Sequence, residues 1–152
     1  ILSIFSNLIM QDGTINIFED GLESRDFVYI DDVVDATVRA ITHTGAPGHV
    51  FNVGSGERTT VLTVVEQLLA AFRAETPWKV TGNFRLGDIR HNFADLTLIS
   101  QRLDFAPKTF FAEGIGKFAA WAATQGPVQS AYERSLAEMR ERGLMLGAEK
   151  QP

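Results

Sequence analysis

Two short segments of the chain set a guanidinium close to a carboxylate at the edge of an apolar element. Arg25 and Asp26 begin the run Arg25, Asp26, Phe27, Val28, Tyr29, Ile30, Asp31, Asp32, and sixty residues later Arg85, Leu86, Gly87 and Asp88 lead into Ile89, Arg90 and His91. A guanidinium can fork onto a phosphate, and a carboxylate can accept hydrogen bonds from sugar hydroxyls. A diphosphate needs two or more cations converging from different parts of a chain, each charge-assisted bond contributing about 1.5 to 3 kcal/mol. Both arginines also admit a plainer role. A surface ion pair of Arg25 with Glu19, Glu23 or Asp26, or of Arg85 with Asp88, would contribute at most about 1 kcal/mol and do no chemistry. Gly87, between Arg85 and Asp88, would let a ligand approach the backbone closely.

Gly54 and Gly56 precede a helix that starts near Thr59, where backbone amides could hold a pyrophosphate. The third glycine position holds Thr59, and Glu75, about twenty residues on, follows a full helix with no strand between. A tight turn packing a strand against its helix is the alternative. No complete glycine-rich fingerprint occurs, and neither tyrosine is followed four residues later by lysine: Tyr29 precedes Val33, and Tyr132 precedes Leu136. The chain therefore offers no catalytic and no cofactor-binding residue of its own. His43, His49 and His91 lack metal-site spacing, and with no cysteine a metal site is not expected.

The elements that must position these groups follow from periodicity. Ile1, Leu2, Phe5, Leu8 and Ile9 recur at helical spacing until Asp12-Gly13, and Thr14 to Phe18 alternates as a strand. Phe27 to Ile30 reads as a second strand. Asp31 or Asp32 is then an N-cap for a helix over Val33 to Thr42, with Val33, Val34, Thr37, Val38 and Ile41 on one face. After the Gly45 to Gly48 loop, His49 to Val53 suits a buried strand. Thr59 or Thr60 can cap Val61 to Phe72, whose Val61, Leu62, Val65, Leu68, Leu69 and Phe72 form the clearest amphipathic stripe. A short strand over Trp78 to Thr81 follows, then helices over Leu96 to Leu103, Glu113 to Ala123 and Ser130 to Arg142. Strands alternating with helices predict an α/β fold.

Nineteen acidic against fourteen basic residues give a net charge of −5, which argues against nucleic acid as a partner. No run approaches the roughly 18 apolar residues that span a bilayer, so a membrane partner is not expected either. The absence of cysteine fits a cytoplasmic location. A first residue of Ile1, without a secretory pattern, predicts a fragment of a longer protein.

Taken in order, RDFVYIDDVVDA, VFNVGSGERTTV, RLGDIRHNFAD and a Phe-x-Pro followed by an EGI helix ending near Trp121 resemble the carboxyl-terminal half of extended short-chain dehydrogenase/reductases acting on nucleotide sugars. The resemblance covers about residues 1 to 125. The string RLGDIRHNFADL, with the tail YERSLAEMRERGLM, is similar to the dTDP-L-rhamnose 4-epimerase-like branch. It implies the substrate-binding C-terminal part of a Rossmann-type α/β enzyme whose N-terminal dinucleotide-binding part is absent, with 1–125 as the nucleotide-sugar-binding region and 126–152 as a helical extension. Arg25 and Arg85 would hold the diphosphate, and Asp88 would accept bonds from the ribose. Main chain around Asn16 and Phe18 would contact thymine or uracil. Asn52 to Gly56 would be the strand and turn that dock this half onto the cofactor domain.

In such enzymes NAD takes a hydride from the sugar's C4 while a tyrosine held by lysine takes the hydroxyl proton, and an epimerase returns the hydride to the other face. The resemblance thus implies part of an NAD-dependent 4-epimerase, or a dehydratase or reductase of the same family. Its substrate would be a dTDP- or UDP-linked sugar, the parent enzyme would be a homodimer, and NAD would be held by the absent half. This chain alone should not turn over substrate. A non-catalytic binding or packing module is the alternative of a different class.

Overall fold

The structure, a computed structural model, describes residues 1–129 and 131–147. Its elements in chain order are α1 (Leu2–Met10), β1 (Ile15–Ile17), β2 (Ser24–Arg25), α2 (Ile30–Thr42), β3 (Thr59–Thr60), α3 (Val61–Phe72), β4 (Trp78–Val80), β5 (Phe84–Arg85), α4 (Thr97–Leu103), α5 (Phe111–Gln125), α6 (Tyr132–Glu141) and β6 (Met145–Leu146). The chain divides into two compact units. One comprises Ile1–Glu23, Thr60–Arg90 and Ile115 onward, and the other Ser24–Thr59 and His91–Gly114.

In the first unit, α1 and α3 pack together, burying Phe5 and Ile9 with Val64, Val65 and Leu68. Helix α3 is the amphipathic helix foreseen, and Thr60 caps it by accepting the Thr63 amide at 3.1 Å on its side-chain oxygen, which satisfies one orphan donor of the first turn. Strand β1 pairs in parallel with β4, Asn16 opposite Lys79, and buries Ile15 and Ile17 completely. Strand β5 pairs antiparallel with β6, so that Arg85 lies opposite Met145.

In the second unit, Ala36, Ala46, Ile99, Leu103 and Phe105 form the core, with Phe51, Val53 and Leu96 against it. Arg39 on α2 donates to the carbonyls of Leu103 at 3.0 Å and Asp104 at 2.6 Å. A cation there satisfies orphan acceptors at the end of α4 and suits its dipole.

Three local expectations are corrected. The strand expected at Phe27 to Ile30 is instead the two residues Ser24–Arg25, and α2 already begins at Ile30. β-rich composition makes a strand only where a neighbour supplies the ladder, and among the described residues no strand ladder runs through 27–29. The same reason accounts for His49 to Val53, which has no strand pairing. Tyr29, not Asp31 or Asp32, occupies the cap of α2. Asp32 sits buried in the first turn and accepts the amides of Lys108 and Thr109, each at 3.0 Å. The buried side of α2 carries Asp32 and Ala36, which leaves Ile30, Val34, Val38 and Ile41 exposed. The last helix starts at Tyr132; its expected start, Ser130, lies outside the described residues.

Candidate functional site

Strand β1 presents two different faces. Ile15 and Ile17 enter the core, so Asn16 and Phe18, half-buried, lie on the opposite side. The ladder is also one-sided. The Ile15 amide donates to Pro77 O at 2.9 Å, and Ile17 O accepts from the Thr81 amide at 2.8 Å and the Thr81 hydroxyl at 2.9 Å. Because alternate residues of a parallel strand bond to the same neighbour, the main chain of Asn16 faces away from β4. Asn16, Phe18, Lys79, Thr81 and Asn83 border an open cavity of about 520 Å³. This edge offers a planar ligand amide donors, carbonyl acceptors and one aromatic face.

The second cluster follows in the same unit. Arg85 donates from Nε to Asp88 Oδ2 at 2.8 Å, and its Nη2 lies 2.6 Å from the same oxygen. The turn between them closes on Gly87 at φ +84°, a left-handed conformation that a side chain would strain. Asp88, assigned from the resemblance to a ribose, here partners the arginine three residues before it. The pair is half-exposed and borders a second open cavity, of about 450 Å³, with Glu19, Asp20 and Arg90.

Arg90 continues the Arg85 and Asp88 segment in the sequence but was given no ligand there. Its Nη2 donates to Asp20 at 2.6 Å and its Nη1 to Glu19 at 3.3 Å, which ties the turn after β1 to the segment bearing Arg85 and Asp88. The Arg90 bond and the Leu22 amide hold the Asp20 carboxyl below the usual carboxylate range, and Asp20 in turn raises Arg90. Beside them Glu23 is buried, and its Oε1 has no partner among the described residues. Burial, with the adjacent Glu19 and Asp20, pushes the Glu23 carboxyl up.

Arg25 belongs to the other unit, where it is half-buried and its Nη1 donates to Ser24 O at 2.8 Å. Its neighbour Asp26 is the organising carboxylate there. It accepts from the Ser55 amide at 2.7 Å, the Ser55 hydroxyl at 2.6 Å, the Gly56 amide at 3.0 Å and the Ala94 amide at 3.1 Å. Burial alone would raise this carboxyl, but the donors outweigh it and hold it low. A Cβ on Gly54 would collide with the Asp26 carboxylate and with the Ala94 methyl group.

The Gly54 to Gly56 turn is therefore a packed internal turn. Its amides already serve a carboxylate of the chain, and the residues present do not fit a dinucleotide pyrophosphate. The signal for Asp26 was in the sequence, since a Gly-Ser-Gly turn displays amides that an anion must satisfy, but its partner lies 29 residues away. His91, whose Nδ1 lies 2.9 Å from the Ser24 hydroxyl, likewise ties two distant segments. Among the described residues no group of three or more acidic or histidine side chains could hold a metal ion, and no helix is long and apolar enough to cross a membrane.

Residues 1–54 match the NAD dependent epimerase/dehydratase family. The chain is 36% identical over 125 residues to dTDP-L-rhamnose 4-epimerase of Burkholderia thailandensis, covering 82% of this chain and 34% of that protein. It is 38% identical over 117 residues to UDP-glucose 4-epimerase of Mycolicibacterium smegmatis, covering 77% of this chain and 37% of that one. Among solved structures it resembles UDP-glucose 4-epimerase of Thermotoga maritima with UDP-glucose, at 29% identity and a TM-score of 0.74, over 82% of this chain and 39% of the other. The chain thus spans little more than a third of the length of its relatives, with an α/β fold like theirs.

Proposed function

We propose that this chain, which matches a portion of the NAD-dependent epimerase/dehydratase enzymes, is their carboxyl-terminal, nucleotide-sugar-holding part and belongs to a 4-epimerase. The observation that carries the reading is the pairing within one unit of two open polar cavities, one at the free edge of β1 and one beside Arg85 and Asp88. In this assignment the main chain around Asn16 and Phe18 takes the pyrimidine base, Arg85 takes the diphosphate, and Asp88 takes the ribose. Nη2 and Nε of Arg85 face Asp88, so the other side of the fork remains for phosphate. The substrate is a dTDP- or UDP-linked sugar.

The hydride chemistry at the sugar's C4 needs NAD and a tyrosine-lysine pair, and both belong to the remainder of the enzyme. Helix α2 supports a remainder that docks here. Ile30, Val34, Val38 and Ile41 are 63%, 53%, 51% and 79% exposed, and Val50, in the unpaired segment 49–53, is 91% exposed. An apolar stripe in the same unit as an apolar segment that has no ladder among the described residues is what a strand and helix look like without the sheet they complete. The intact enzyme is a cytoplasmic homodimer in this reading.

Calorimetric titration of the folded chain with dTDP and UDP, repeated on Arg85→Ala, tests the assignment. Binding that the substitution weakens is the expected result. Unchanged affinity would reject Arg85 as a phosphate ligand, and a folded chain that binds neither nucleotide would favour a packing module.

A further inference from the structure

The segment that reads as a helical extension in the sequence lines the cavity at the edge of β1 and pairs with the strand that bears Arg85. The cavity at the edge of β1 is bordered also by α6, through Glu133, Leu136 and Arg140. Leu136 is 3% exposed, so the helix is seated by its apolar stripe, with Glu133 and Arg140 exposed beside the cavity. Beyond α6, β6 pairs with β5, and Leu144 O accepts the Leu86 amide at 2.9 Å. The strand that bears Arg85 is therefore held by the same segment. Tyr132, at the start of α6, is half-buried; burial raises its hydroxyl, Glu133 adds to this, and Arg85 and Arg140 oppose it, which places both arginines within electrostatic reach of Tyr132.

We propose that residues 131–146 form the outer wall of the nucleotide site and that Arg140 and Glu133 read the edge of the base, selecting a pyrimidine-2,4-dione. This rests on the assignment of Asn16 and Phe18 to the base. Uracil and thymine present two carbonyl acceptors on either side of an N3–H donor. A guanidinium donates to such a carbonyl, and a carboxylate accepts the N3–H. Cytosine reverses this pattern, with an acceptor at N3 and an amine at C4. Its N3 would face the Glu133 carboxylate acceptor to acceptor, an unpaired contact that discriminates more strongly than any apolar difference. Phe18 and Leu136 supply apolar surface for the ring.

The test is calorimetric titration of the full chain with UDP, dTDP, CDP and inorganic pyrophosphate, on the wild type and on Arg140→Ala, Glu133→Gln and Arg85→Ala, each checked by circular dichroism. Arg140→Ala should lose about tenfold in affinity for UDP and dTDP while pyrophosphate is unaffected, and Glu133→Gln should narrow the preference for UDP over CDP about tenfold. Arg85→Ala should weaken all four. If Arg85→Ala does so while the α6 variants bind every nucleotide like the wild type, the wall assignment is wrong and the diphosphate assignment stands. A folded wild-type chain that binds none of the four overturns both. Should an α6 variant not fold, amide shifts of the wild type on adding UDP decide: movement at Asn16, Glu133 and Arg140 supports the proposal, and silence there overturns it.

Discussion

Replacing Arg85 by alanine should weaken nucleotide binding while leaving the fold intact, and the size of the loss follows from the geometry. A charge-assisted bond from a guanidinium to a phosphate contributes about 1.5 to 3 kcal/mol. Arg85 is not idle without ligand. It is bound to Asp88 at 2.6 Å, in a pair whose side chains are 46% and 35% exposed. Such a solvated pair contributes at most about 1 kcal/mol, and binding must share or displace it. The net loss on Arg85→Ala is then about 1 to 2 kcal/mol, or roughly 5- to 30-fold in the dissociation constant for dTDP and UDP. The thermal midpoint should barely move, because a surface pair is being removed. Titration calorimetry reads the first quantity and a thermal melt the second. Unchanged affinity with a wild-type melt would refute the phosphate role of Arg85, and a large drop in midpoint would show that the pair is structural.

Further outcomes follow from the carboxylates. Asp26→Asn should destabilise the chain by about 1 to 3 kcal/mol, since an amide keeps one acceptor but turns a donor toward the donors of Ser55, Gly56 and Ala94. The Asp26 carboxyl is held low in the folded state, so its stabilisation is present above the ordinary aspartate range and is lost as pH falls through the lowered value; urea midpoints of wild type and variant should therefore differ at neutral pH and draw together in acid. Glu23 behaves in the opposite sense. Its raised carboxyl contributes stability below the ordinary glutamate range that is lost as pH rises through the folded value, so Glu23→Gln should raise the thermal midpoint at neutral pH and lose that advantage in acid. A variant that melts lower at every pH would show that the buried carboxyl has a partner that glutamine cannot replace. Gly54→Ala should lower the midpoint, because the added methyl group meets both Asp26 and Ala94; a wild-type melt would mean that this turn is not closely packed.

Elements held by near neighbours were legible in the chain itself. The stripe of α3, its Thr60 cap, the alternation of β1 and the i, i+3 pairing of Arg85 with Asp88 across Gly87 all depend on interactions within a few residues, and local sequence determines them. Family resemblance could be read from the order of four motifs for the same reason, since each is a contiguous string. What depended on distant partners was not legible. Phe27 to Ile30 has strand composition but no strand ladder among the described residues, and the exposed stripe of α2 became its outer side because Asp32 bonds amides 76 and 77 residues away. Asp26 looked like half of an ion pair, yet it holds turns 29 and 68 residues on. The seating of α6 beside the cavity at the edge of β1, and of β6 against β5, is likewise a matter of tertiary contact. Periodicity states which side of an element is apolar, but which carboxylate meets which amide is decided only when the folded chain brings distant residues within hydrogen-bond reach.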